Sequence, residues 1–96
     1  MRMQMEPTRV LEQLEDLALK LGIEVVYEKL EPKDPFTTGG LCKVKGKYKI
    51  LIDPSYTIDR RVEILSRALS AFEHDEVYVL PYIREILERA KQSGRA

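Results

Sequence analysis

The chain has 96 residues, 16 basic and 16 acidic side chains, an apolar fraction of 44% and a single cysteine. That length suits one domain burying about 60–65% of its unfolded surface, enough to fold without disulfides or structural metal. Zero formal charge removes the long-range field that steers basic proteins to nucleic acid or anionic lipid, and Cys42 alone forms neither an intrachain disulfide nor a thiolate zinc cluster.

Met1–Pro7 carries Arg2 and three methionines but no apolar core segment, so no signal peptide is expected and the cytoplasm is the expected compartment. No uncharged stretch approaches the roughly 20 residues of a membrane span. Residues 1–6 read as a disordered end. Pro7 and Thr8 then signal a helix start, since Pro is tolerated in the first turn and Thr caps free amides. Val10, Leu14, Leu17 and Leu21 recur at helical spacing, with Leu11 and Ala18 beside them and Glu12, Gln13, Glu15, Asp16 and Lys20 opposite. Gly22 stands where a left-handed cap closes the helix.

Ile23–Leu30 is rich in β-branched and aromatic residues and predicts a strand. Residues 31–40, with two prolines and a Gly-Gly pair, predict a loop of functional length. Leu41–Asp53 predicts a hairpin turning at Gly46. An odd-length turn would place Cys42, Val44, Tyr48, Ile50 and Ile52 on an inward face and Lys43, Lys45, Lys47 and Lys49 on the other. Asp53–Ser55 reads as a turn, with Ser55 or Thr57 capping a helix from Ile58 to Phe72. Its stripe of Ile58, Val62, Leu65, Leu69 and Phe72 is widened by Ile64, Ala68 and Ala71, as expected of a central helix. Glu73–Glu76 is a polar break, Val77–Leu80 a short extended segment, and Pro81 opens a last helix facing inward through Ile83, Ile86, Leu87 and Ala90. Residues 92–96 read as a disordered tail.

The expected architecture is α+β: one domain over residues 7–91 with a small three-stranded, mostly antiparallel sheet covered by helices, in the order α-β-β-β-α-α.

No catalytic set, metal site or cofactor motif emerges. Cys42 follows Gly39 and Gly40, but a reactive thiol needs a base, a cation or a helix N-terminus beside it; on an inward hairpin face it reads as a small apolar residue. His74 stands among Glu73, Asp75 and Glu76, where neighbouring loop side chains diverge, and no second histidine completes a catalytic zinc set. Cys42, Tyr48, Asp53 and His74 are the candidate binding residues if they meet at the rim of the 31–42 loop. Lys43, Lys45, Lys47 and Lys49 are the candidate basic patch, with Arg60, Arg61 and Arg67 as an extension; alternating lysines also protect a strand from edge pairing.

The run GGLCKVKGKYKILIDPSYTIDRRVEILSRALSAF resembles the minimal zincin-like metallopeptidase domain of the ImmA/IrrE kind: a hairpin, a turn, and an Arg-Arg-led amphipathic helix. That family carries HExxH on the helix. Anchored on Arg60-Arg61, the motif falls on Ser66, Arg67, Ala68, Leu69 and Ser70, so the resemblance implies a shared scaffold without its metal-binding residues. The GG-x-C-x-x-x-G-K hairpin and the Pro81 to Glu85 helix start are also similar to bacterial proteins of unknown function.

The leading expectation is a non-enzymatic domain working through contacts with itself, as a homodimer, or with another protein; nucleic acid and membrane are not expected partners. One alternative is a ligand-binding protein or minor enzyme using the 31–42 loop. The other is a nucleic-acid accessory protein using the hairpin lysines.

Overall fold

In the computed structural model, which describes residues 6–29, 40–72 and 77–93, the first helix α1 spans Pro7–Lys20. Pro7 begins it, where a missing N–H is no loss. Glu6 stands at the N-cap with no side-chain capping bond, so Thr8 lies inside the first turn and does not cap. The C-terminal end is closed by main chain. Ile23 N–H donates to Ala18 O at 2.8 Å and Gly22 N–H to Leu19 O at 3.1 Å, the paired bonds of a Schellman motif. Gly22 adopts φ +78° to make them.

Strands β1 (Glu24–Tyr27), β2 (Gly40–Val44) and β3 (Lys47–Ile52) form one sheet in the order β1-β3-β2, followed by helices α2 (Ile58–Leu69) and α3 (Pro81–Ser93). The class is α+β and the order α-β-β-β-α-α. The sheet is mixed where a mostly antiparallel one was expected: β3 runs antiparallel to β2 and parallel to β1. The reason lies in β3, which carries the fully buried Ile50 and Ile52. As the returning arm of the hairpin it inserts between β1 and β2, giving the most buried strand a neighbour on each side.

The hairpin register is a second correction. Val44 pairs with Lys47, leaving Lys45-Gly46 as a two-residue turn with φ +52° and +80°. Positive φ at both central residues marks a type I′ turn, whose twist matches that of its strands. Directly opposed residues share a face, so Leu41 and Ile50, and Lys43 and Tyr48, lie on the helix side. Cys42 with Lys49, and Val44 with Lys47, lie on the outer side. Cys42 and Val44 therefore do not join the inward set with Tyr48, Ile50 and Ile52. An even turn in place of an odd one reverses every β2 side chain relative to β3.

Thr57 caps α2, its Oγ1 accepting from Arg60 N–H at 3.1 Å, with Asp59 in the first turn and Arg67 in the last, each favourable to the helix dipole. α2 ends at Leu69, short of the expected Phe72, and α3 runs to Ser93, two residues into the expected tail. Val77–Leu80 is irregular, with Val79 buried. The expected loop over 31–39, the Glu73–Glu76 connector and the ends 1–5 and 94–96 lie outside the described residues.

α1 and α2 pack side by side on the sheet, α1 against β1 and α2 against β2 and β3, while α3 packs on α2 and α1. Leu14 from α1, Leu65 and Leu69 from α2, Ile83 and Leu87 from α3, and Ile50 and Ile52 meet in one core. Each such side chain contributes about 1.5–3 kcal/mol on leaving water.

Leu65→Ala is expected to cost about 2–5 kcal/mol, a large share of the about 5–15 kcal/mol holding a domain together; urea denaturation measures it. At the turn, Lys45→Asn should gain roughly 0.5 kcal/mol because Asn tolerates left-handed backbone. Gly46→Ala should lose about 1 kcal/mol, since nothing lies within 4 Å of the added Cβ and only the φ of +80° resists it. Both appear as shifted urea midpoints at constant slope.

Candidate functional site

Among the described residues, the order β1-β3-β2 leaves β1 with a neighbouring strand on one side only. Which main-chain groups face the open side follows from one bond: Glu28 N–H donates to Ile52 O at 2.9 Å. In a parallel ladder, residues of one parity bond to the neighbour and those of the other parity turn away. Glu24 and Val26 thus face β3, and Val25 and Tyr27 direct their N–H and C=O groups toward the open edge.

A groove of about 330 Å³ runs along this edge, lined by Glu15 and Leu19 of α1 and by Ile23, Glu24, Val25 and Tyr27. Strands lie about 4.8 Å apart, whereas a helix with its side chains is about 10 Å across. Two helices side by side therefore cover about four strands, and this sheet has three. α1 overhangs the β1 edge, which explains why Leu19 is 75% exposed on a helix whose other face is buried.

At one end of the groove the Tyr27 hydroxyl donates to the Glu15 carboxylate, tying β1 to α1. The Arg61 guanidinium lies 5.5 Å from the centre of the Tyr27 ring. Arg61 is held from behind, Nε donating to Tyr56 O at 3.0 Å and Nη2 to Pro54 O at 2.6 Å. Partial burial raises the Tyr27 phenol far above its ordinary 10.0, and the bond and charge of Glu15 raise it further, against an opposing pull from Arg61. The polar groups lining the groove are carboxylates and the Tyr27 phenol, without a cation.

The residues singled out from the sequence are dispersed. Cys42 is half-buried on the outer face opposite Lys49. Tyr48 lies on the helix side, its ring edge-on to Phe72 at 4.9 Å and 82°, with Lys43 Nζ 5.2 Å from its centre. Asp53 follows the other end of β3, five residues and about 16 Å of strand from Tyr48. Its carboxylate accepts from Ser55 N–H at 2.9 Å and Ser55 Oγ at 2.8 Å, which shapes the turn into α2. His74 lies outside the described residues. Cys42, Tyr48 and Asp53 thus do not converge.

The hairpin lysines divide between surfaces. Lys43 stands on the helix side, Lys45 in the turn, and Lys47 and Lys49 on the outer face, where Lys49 pairs with Glu24 at 3.6 Å. The proposed arginine extension is engaged elsewhere: Glu63 binds Arg60 at 2.7 Å and Arg67 at 3.5 Å, and Arg61 holds the β3–α2 turn.

The zincin family holds its zinc through HExxH on the helix that α2 resembles, and the side chains at those positions here do not fit a metal. Buried Ser66 donates through Oγ to Glu63 O at 3.1 Å, and Ser70 Oγ donates to Arg67 O at 2.8 Å. Serine hydroxyls committed to helix carbonyls, with a guanidinium between them, are not the imidazole, thiolate or carboxylate donors that hold zinc. Among the described residues no group of three His, Cys, Asp or Glu side chains is placed to hold a metal ion, and no helix is long and apolar enough to cross a membrane.

The groove residues Glu15, Leu19 and Tyr27 were not picked out from the sequence. One signal was available: Leu19 is a leucine off the Val10–Leu14–Leu17–Leu21 stripe, four residues from Glu15 on the polar side. Comparison of the chain with protein-family models, curated proteins and solved structures finds no match.

The raised Tyr27 phenol sets a sign for alkaline stability. The unfolded chain releases this proton near pH 10 while the folded chain retains it, so the contribution is complete below pH 10 and declines above it. Tyr27→Phe should flatten that decline and remove from the tyrosinate absorbance titration a phenol that ionises far above pH 10.

Proposed function

We propose that this chain is a non-catalytic protein-interaction domain that accepts an extended segment of a partner along the β1 edge beneath α1. The observation that carries this reading is the groove: outward main-chain donors and acceptors at Val25 and Tyr27 beside an exposed leucine, at the spacing of one missing strand. Strand addition uses such an edge, with main-chain hydrogen bonds supplying affinity and alternate side chains supplying selectivity. The Glu15 carboxylate on the α1 side of the groove favours a segment in which apolar side chains alternate with basic ones. The likeness of the α2 region to a zincin scaffold enters only as architecture, with Ser66, Arg67 and Ser70 in structural roles.

The test is a titration of the isotopically labelled chain with a synthetic peptide alternating valine and lysine, followed by amide shifts. Movement is expected at Leu19 and Ile23–Tyr27, and little with a glutamate-for-lysine control peptide. Leu19→Lys should weaken binding about tenfold or more, since removing a leucine contact of about 1.5–3 kcal/mol exceeds the 1.4 kcal/mol that a tenfold change represents. Unmoved amides at the β1 edge would refute the reading.

A further inference from the structure

We infer that the strand received beneath α1 is β2 of a second copy of this chain, so that copies join head to tail into a continuous sheet. This rests on the interaction reading above and names the partner.

Among the described residues the sheet has two open edges, and they are complementary in direction. β1 is parallel to β3 and β2 antiparallel to it, so β1 and β2 run opposite ways. A second copy set beside the first in the same orientation brings β2 antiparallel to β1, with both helix layers on the same side. The resulting order is β1-β3-β2 followed by β1-β3-β2, without a break.

They are also complementary in register. The two-residue turn makes Val44 and Lys47 a hydrogen-bonded pair, which turns the main chain of Cys42 toward β3 and that of Leu41 and Lys43 outward. On β1 the outward residues are Val25 and Tyr27. Setting Val25 opposite Lys43 of the second copy aligns Tyr27 with Leu41 of that copy, so both outward pairs meet in one register. All four side chains point to the helix side, where Glu15 and Leu19 overhang. On the outer side Val26 meets Cys42 and Glu24 meets Val44.

Charge and exposed apolar surface agree with this pairing. Leu19 and Tyr27 are exposed at the β1 edge, and Leu41 and Val44 at the β2 edge. The β1 groove is lined by Glu15 and Glu24, whereas the β2 edge carries Lys43 and the turn Lys45. Like edges repel: β1 against β1 sets carboxylates together, and β2 against β2 sets lysines together. Only the unlike pair attracts, so the lysines that discourage edge pairing in general here select one partner edge. Such a contact is heterologous. The right-handed twist of the sheet rotates each added copy, so the assembly grows as an open chain.

The experiment uses two full-length variants, one blocking each edge. Leu19→Lys places a cation in the β1 groove, where Glu15 supports it within α1 at a helix-favouring spacing. Lys43→Glu places an anion on the β2 edge. Light scattering with size exclusion should show the unaltered chain exceeding its 11.1 kDa monomer mass increasingly with concentration, and shrinking as salt rises from about 0.05 to 0.5 M. Each variant alone, with native circular dichroism, should remain monomeric, while an equimolar mixture should form a species of twice the monomer mass and none larger. If Lys43→Glu fails to fold, Lys43→Pro replaces it, because the Lys43 N–H faces outward and its loss spares the hairpin ladder.

A strictly monomeric unaltered chain, a variant that still assembles alone, or a mixture that stays monomeric overturns the head-to-tail inference. If the valine–lysine peptide still shifts the β1 amides in that case, the interaction reading stands and only the identity of the partner falls. If the peptide also leaves them unmoved, both fall.

Discussion

Ile50 and Ile52 must leave water on both sides of their strand, and that requirement organises the molecule. Both are fully buried, on the one strand with neighbours at each edge. Placing β3 centrally sends β1 and β2 to the margins in opposite directions, one parallel to the centre and one antiparallel. The three helices complete the same core from one side, through Leu14, Leu65, Leu69, Ile83 and Leu87. A three-stranded sheet with one apolar face is stabilised by packing that face against the helices.

The groove follows from a mismatch of widths. A pair of packed helices needs about four strands beneath it, and the chain supplies three. Core packing does not remove the mismatch, because α1 must stay against α2 to bury Val10, Leu14 and Leu17. The surplus appears at the outer margin, where Leu19 is exposed beside β1. The bond from Tyr27 to Glu15 fixes β1 to this overhang, and Arg61, anchored on Pro54 and Tyr56 carbonyls, braces the other side of the tyrosine. The groove thus arises from the same contacts that stabilise the fold.

The surface charges describe local arrangements and not a general field. Among the described residues, ion pairs such as Asp16–Lys20, Arg60–Glu63, Glu63–Arg67 and Glu85–Arg89 lie within single helices, at the few tenths of a kcal/mol typical of such pairs. They leave the arginines of α2 committed to Glu63 and to turn carbonyls. What differs between the two margins of the sheet is the side chains they carry: Glu15, bound to the Tyr27 hydroxyl, and Glu24, paired with Lys49, at the β1 margin, and Lys43 and Lys45 along the hairpin.

Element type and order were legible in the residues themselves, because helical stripes such as Val10–Leu14–Leu17, the Gly22 cap and the Pro81 start depend on neighbours within a few positions. So was the α+β class. The face of Cys42 and Val44 was not, since an odd and an even turn at Gly46 both suit the local sequence and both leave Ile50 and Ile52 under the helices; what differs is the left-handed backbone at Lys45 and Gly46, which closes a two-residue turn. Strand order likewise depended on burying β3 between its hairpin neighbour β2 and β1, which is distant in sequence. The groove was hidden for the same reason: an off-stripe leucine and a surface glutamate become a site only when the width of the helix pair and the number of strands are set against each other, and that comparison exists only in the folded chain.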